Sequence, residues 1–101
     1  MSKGVVLVVD DEAQIRDILG FYLKRAGYQL LVAENGVKAL EIMAKVQPDL
    51  ILSDLRMPEM AGDEFCRIIK GAPETRDIYF VLVSAMDGRG GREVLARKEE
   101  N

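Results

Sequence analysis

Asp10, Asp11, Asp54 and Ser84 are the residues whose types and positions could do chemistry together. Asp10 and Asp11 stop the apolar run Val5-Val6-Leu7-Val8-Val9, with Glu12 next in the chain. Asp54 ends a second run, Leu50 to Ser53, and Ser84 ends another, Ile78 to Val83. Three carboxylates brought together repel one another unless a cation intervenes. The chain has no His and a single Cys, so any metal site here is built from oxygen. Such a site suits a hard ion, Mg2+ in preference to zinc. A carboxylate beside that ion and facing a phosphoryl donor can act as a nucleophile and become an aspartyl phosphate.

That chemistry requires the acids to meet, and the hydropathy pattern says how. Val5 to Val9 is a continuous apolar run, as expected of a strand buried on both faces. From Glu12 to Ala26 the period changes, and Ile15, Ile18, Leu19, Tyr22, Leu23 and Ala26 mark one helix face. Arg16, Asp17, Lys24 and Arg25 lie off that face, and Gly27 is placed to end the helix. Tyr28 to Ala33 reads as a strand, Asn35-Gly36 as a turn and Val37 to Val46 as a helix, closed by Pro48. Leu50 to Ser53 is a third strand. Gly62 opens a third helix with Asp63 and Glu64 in its first turn, where the helix dipole favours them. Ile78 to Val83 is a fourth strand. After the glycines at 88, 90 and 91, the segment Arg92 to Glu100 reads as a short charged helix.

Strands alternating with helices, with continuous apolar strands, predict an α/β fold: a doubly wound parallel sheet of about four βα units. Parallel strands put all their carboxyl ends along one edge. In such a sheet the crevice forms where successive crossovers run in opposite directions. If the second strand lies on one side of the first and the third on the other, Asp10, Asp11 and Asp54 share that crevice. The bland readings are a helix N-cap for Asp10 or Asp11 and a solvated strand end for Asp54. Ser84 alone carries little weight, since Ser at a strand end is common. Cys66 reads as a small apolar filler.

Composition narrows the function. At 101 residues the chain is expected to be a single domain, residues 1–101. A formal net charge of −3 argues against a general nucleic-acid binder. The lone Cys66 excludes an internal disulfide and fits a reducing compartment. No apolar run reaches the roughly 20 residues of a membrane span, and no secretory signal precedes the first strand. A cytoplasmic protein is expected.

The stretches VVDDE, SDLRMPEMAG and VLVSA together resemble the response-regulator receiver domain of two-component signalling. Asp54 followed by Met57-Pro58 and Gly62 is the most specific part. The resemblance spans nearly the whole chain and implies a flavodoxin-like fold with strand order 2-1-3-4-5. It implies that Asp54 is the phosphoacceptor and that Asp10 and Asp11 hold Mg2+, one of them through water. The Arg56 backbone carbonyl would complete the metal site. Ser84 would hydrogen-bond a phosphoryl oxygen. The implied partners are a histidine kinase or phosphotransfer protein and a downstream protein target.

The family's fifth strand, with its aromatic residue and terminal Lys-Pro, has no counterpart in Arg92 to Asn101. Lys98 lies in a charged stretch and is not assigned the lysine's role. Without that strand the fourth becomes an apolar open edge, so a homodimer through the fourth strand and its following helix is expected. Two other functions compete with the phosphoacceptor. One is a shortened receiver acting mainly as an assembly module. The other is a phosphatase with an aspartyl nucleophile, disfavoured because Asp10-Asp11-Glu12-Ala13 lacks an Asp-x-Asp motif.

Overall fold

The computed structural model describes residues 3–86 and 91–97, and of 84–86 and 91–97 it describes the backbone alone. The elements are β1 (Val5–Val9), α1 (Ala13–Arg25), β2 (Gln29–Ala33), α2 (Gly36–Met43), β3 (Leu50–Asp54), α3 (Gly62–Gly71), β4 (Tyr79–Met86) and β5 (Gly91–Arg97). The first seven follow the expected alternation, with ends shifted by a few residues. Gly27, at φ 100°, closes α1 as anticipated. Its N–H bonds the Lys24 carbonyl and the Tyr28 N–H bonds that of Leu23, so the last turn's carbonyls are satisfied.

The sheet order is β2-β1-β3-β4-β5. β1 pairs in parallel with both β2 and β3, and β3 with β4. The crossover through α1 runs to one side of β1 and the crossover through α2 returns to the other. The point of reversal therefore lies between β1 and β3.

The two faces of the sheet are covered differently. On one, Leu7, Ile51, Phe80 and Leu82 pack with Phe65, Cys66 and Ile69 of α3 and Ala39 of α2. Phe65 meets Phe80 edge to face, 5.4 Å between centroids, a geometry worth about 1 kcal/mol beyond area burial. The other face carries α1 over β1 and β2. Gly20 lets the helix approach, because a Cβ there would stand 2.7 Å from Leu30 Cδ2. Beyond α1 this face is an apolar groove of about 320 Å³ between the helix and β3–β4.

Two expectations fail at the carboxyl end. Gly91–Arg97, overlapping the segment Arg92 to Glu100 expected to be a charged helix, form β5, which pairs antiparallel with β4 from Phe80↔Arg97 to Met86↔Gly91. A helix of nine residues is marginal in isolation, whereas the exposed edge of β4 offers a row of unpaired N–H and C=O groups. Edge pairing wins over local propensity. The second correction follows from the first. β4 is hydrogen-bonded along both edges, by β3 and by β5, so it is not the open strand through which a homodimer was expected. The following element is a strand and not a helix.

Candidate functional site

The acids meet at the rim between β1 and β3. Asp10, Asp11 and Asp54 each offer a carboxylate oxygen, and these oxygens all lie within 4.8 Å of one another. Asp10 and Asp54 are buried, 3% and 7% exposed, and Asp11 is exposed. Cations, water and backbone N–H groups are the means by which such a cluster offsets its mutual repulsion. An octahedral Mg2+ holds its oxygens about 3 to 4 Å apart. Oxygens within 4.8 Å of one another reach that spacing with at most a small contraction, or with a water in the place of one carboxylate. The donor set is all carboxylate, as a hard cation requires.

Asp10 is held from several sides. Its N–H donates to the Ala33 carbonyl at 3.1 Å, extending the β1–β2 ladder by one step. Its Oδ1 accepts from the Glu12 N–H at 2.9 Å, and its carbonyl accepts from Arg16 Nη1 at 2.6 Å. The N-cap of α1 is Glu12, with no side-chain cap bond, so neither Asp10 nor Asp11 takes the capping role weighed for it. Arg16, off the apolar face of α1, reaches back to the rim, a role its place in the helical pattern did not reveal.

Asp54 is the last residue of β3 and pairs with Val83. The next residue, Leu55, donates its N–H to the Val83 carbonyl at 2.9 Å, so β3–β4 pairing persists past Asp54. Ser84 follows Val83 at the same rim, and its backbone pairs with Glu93 of β5. Its side chain lies outside the described residues, as does the whole of Lys98.

The loop after Asp54 turns back sharply. Gly62 donates its N–H to the Leu55 carbonyl at 2.8 Å, and a Cβ on Gly62 would collide with the Asp54 carbonyl and the Leu55 backbone. That explains a glycine eight residues after the acid. Arg56 is exposed, its N–H 3.5 Å from Asp54 Oδ1, a long contact. Glu59 sits at φ 72°, the one positive-φ residue other than glycine among those described.

Asn35 was read from the sequence as half of a turn. It is the N-cap of α2, accepting from the Lys38 N–H at 2.8 Å, and it is only 4% exposed. Its Nδ2 donates to Glu59 Oε1 at 2.8 Å. The signal available in the sequence was a capping residue directly before a helix; nothing there pointed to its partner 24 residues away.

The response regulator receiver domain family matches residues 6–95. This chain belongs to that family. The receiver is 46% identical over 92 residues to the response regulator PleD of Caulobacter vibrioides, covering 91% of this chain and 20% of PleD. It is 42% identical over 85 residues to sporulation initiation phosphotransferase F of Bacillus subtilis, covering 84% of this chain and 67% of that protein. Among solved structures, the signal receiver domain of a signal transduction histidine kinase from Syntrophus aciditrophicus superposes with a TM-score of 0.79 at 36% identity. That match covers 85% of this receiver and 65% of the other chain. The receiver spans one fifth of PleD's length. Receiver domains of this family are phosphoacceptors of two-component signalling and not enzymes in the usual sense, and phosphoacceptance is the function of this domain. They use Mg2+ at an acidic pocket, and they work with histidine kinases or phosphotransfer proteins and with downstream targets.

Proposed function

We infer that Asp54 is the phosphoacceptor of this receiver and that Asp10, Asp11, Asp54 and the Arg56 carbonyl hold Mg2+. The observation that carries this reading is the approach of three carboxylate oxygens to within 4.8 Å at the β1–β3 reversal. Mg2+, when bound, supplies positive charge to the phosphoryl oxygens and offsets carboxylate repulsion. The chain's own residues do the rest. Asp54, rigid at the tip of a paired strand, presents its carboxylate to the phosphorus of a phosphohistidine. An oxygen–phosphorus bond forms, the phosphorus–nitrogen bond breaks, and the electron pair leaves with the imidazole nitrogen. Asp10 and Asp11 anchor the metal side of the site. Ser84 hydrogen-bonds a phosphoryl oxygen.

Residues 1–101 act together as one receiver domain in the cytoplasm, with a histidine kinase or phosphotransfer protein as donor and a protein as target. No helix of the described residues is long and apolar enough to cross a membrane, and the formal charge of −3 disfavours direct nucleic-acid contact. Self-association, where it occurs, uses the sheet's end strands, β2 and β5, in place of β4.

The test is intact-mass measurement after incubation with phosphoramidate or acetyl phosphate. One phosphate adduct that requires Mg2+ and disappears in Asp54→Asn is expected. An adduct that persists in Asp54→Asn moves the acceptor elsewhere. No adduct in the native protein returns the chain to the assembly reading.

A further inference from the structure

We propose that Asn35 and Glu59 form a latch that holds the acceptor loop, residues 55–61, against the amino end of α2, and that both are positioning residues for the phosphoacceptor site. The inference rests on the functional reading above and adds two residues that reading does not use.

The loop is tied down at two limbs. The inner limb belongs to the sheet: the Leu55 N–H bonds the Val83 carbonyl and the Gly62 N–H bonds that of Leu55. The outer limb, Glu59 and Met60, meets the start of α2, and Met60 also packs against the hydrophobic core. Asn35 Nδ2 donates to Glu59 Oε1 at 2.8 Å. One residue on, a Cβ at Gly36 would stand 2.7 Å from Met60 Sδ, so Met60 lies directly on the first turn of the helix. Asn35 has little freedom to do otherwise. Its oxygen is committed to the Lys38 N–H, which fixes the amide's orientation and aims the nitrogen at Glu59.

Glu59 needs that partner. At φ 72° it occupies the left-handed region that an L side chain other than Asn or Asp seldom visits. Its conformation persists because surrounding contacts impose it, and the bond to Asn35 is the contact its own side chain makes. Arg56, whose carbonyl the metal reading uses, lies between the two anchored limbs. Release of the outer one widens the range of positions that carbonyl samples.

The junction between β2 and α2 therefore touches both acid-bearing tips. Through the Ala33 carbonyl it fixes Asp10, and two residues later, through Asn35, it fixes the loop that follows Asp54.

Substitution at Glu59 separates positioning from stability. Glu59→Gly removes the latch and also relieves the positive-φ strain, so its thermal midpoint should equal or exceed that of the native protein. Its Mg2+ dissociation constant, read from amide chemical shifts, should nonetheless rise about fivefold, the scale of one lost hydrogen bond. Glu59→Gln removes the charge but keeps an acceptor for Asn35, and should stay within about twofold of native. Asn35→Asp keeps the cap and loses the donor. It should slow phosphoryl capture, and Asn35→Asp/Glu59→Gln, in which the glutamine becomes the donor, should restore it. Native Mg2+ affinity in Glu59→Gly overturns the proposal, as does an equal loss in Glu59→Gln. If the native protein binds no Mg2+, the functional reading fails separately, and the latch is judged by amide exchange at Met60 and Gly62. Exchange about fivefold faster in Glu59→Gly then supports the latch, and unchanged exchange overturns it.

Discussion

Val9 of β1 is the register partner of Ser53 of β3, so the next residue on each strand, Asp10 and Asp54, stands level with the other at the sheet's carboxyl rim. Parallel neighbours in register present equivalent positions side by side. Two acids placed one step past a register pair thus lie side by side. Both also close the end of the groove between α1 and β3–β4, which puts them on one face of the sheet.

Bringing like charges together has a stability cost in the absence of metal. Asp54→Asn keeps the shape of the side chain and removes one of three clustered charges. In EDTA it should raise stability by about 1 kcal/mol, or about 4 to 8 °C in thermal midpoint for a domain of this size. In saturating Mg2+ the order reverses, because bound metal stabilises the native carboxylate set more strongly. Melting curves in the two buffers check both signs.

Gly62→Ala forces a Cβ onto the Asp54 carbonyl and the Leu55 backbone. Backbone atoms on paired strands cannot move aside cheaply, so a loss of about 2 kcal/mol or more is expected by urea unfolding. Phosphoryl capture should fall in the fraction that still folds, since the displaced carbonyl belongs to Asp54, the acceptor proposed above.

β5 is the device that keeps β4 from being an edge. Val94, opposite Val83 in the antiparallel pair, is a suitable place to break it. Val94→Pro removes a backbone donor and disfavours the strand. Sedimentation at increasing concentration should show the native protein associating less than Val94→Pro, whose β4 is left unpaired. Equal behaviour of the two would mean that β5 does not guard the edge.

The parts of the fold that the sequence declares are those where one strong signal acts alone. VVLVV has no competing period, and burial on both faces is what such a run requires; Val6 to Val9 are each 1% exposed or less. Asp54 was legible as a strand tip because Leu50 to Ser53 leads straight into it. The segment at 91–97 was misread because its charged residues carry good helix propensity, while the pairing demand of β4 acts from a distance and leaves no local mark. The Asn35–Glu59 contact was illegible for the same reason. Each residue has an adequate local explanation, a cap and a loop position, and only the fold brings the two together.

If the three acids and the loop after Asp54 form one divalent-cation site, titration of the isotopically labelled native protein with Mg2+, followed through its backbone amides, will reveal it. A single saturable transition is predicted, with the largest shifts at residues 10–12 and 54–56, and a marked loss of affinity in Asp54→Asn. Shifts that fail to saturate, or that centre on acids elsewhere such as Asp63 and Glu64, would contradict it.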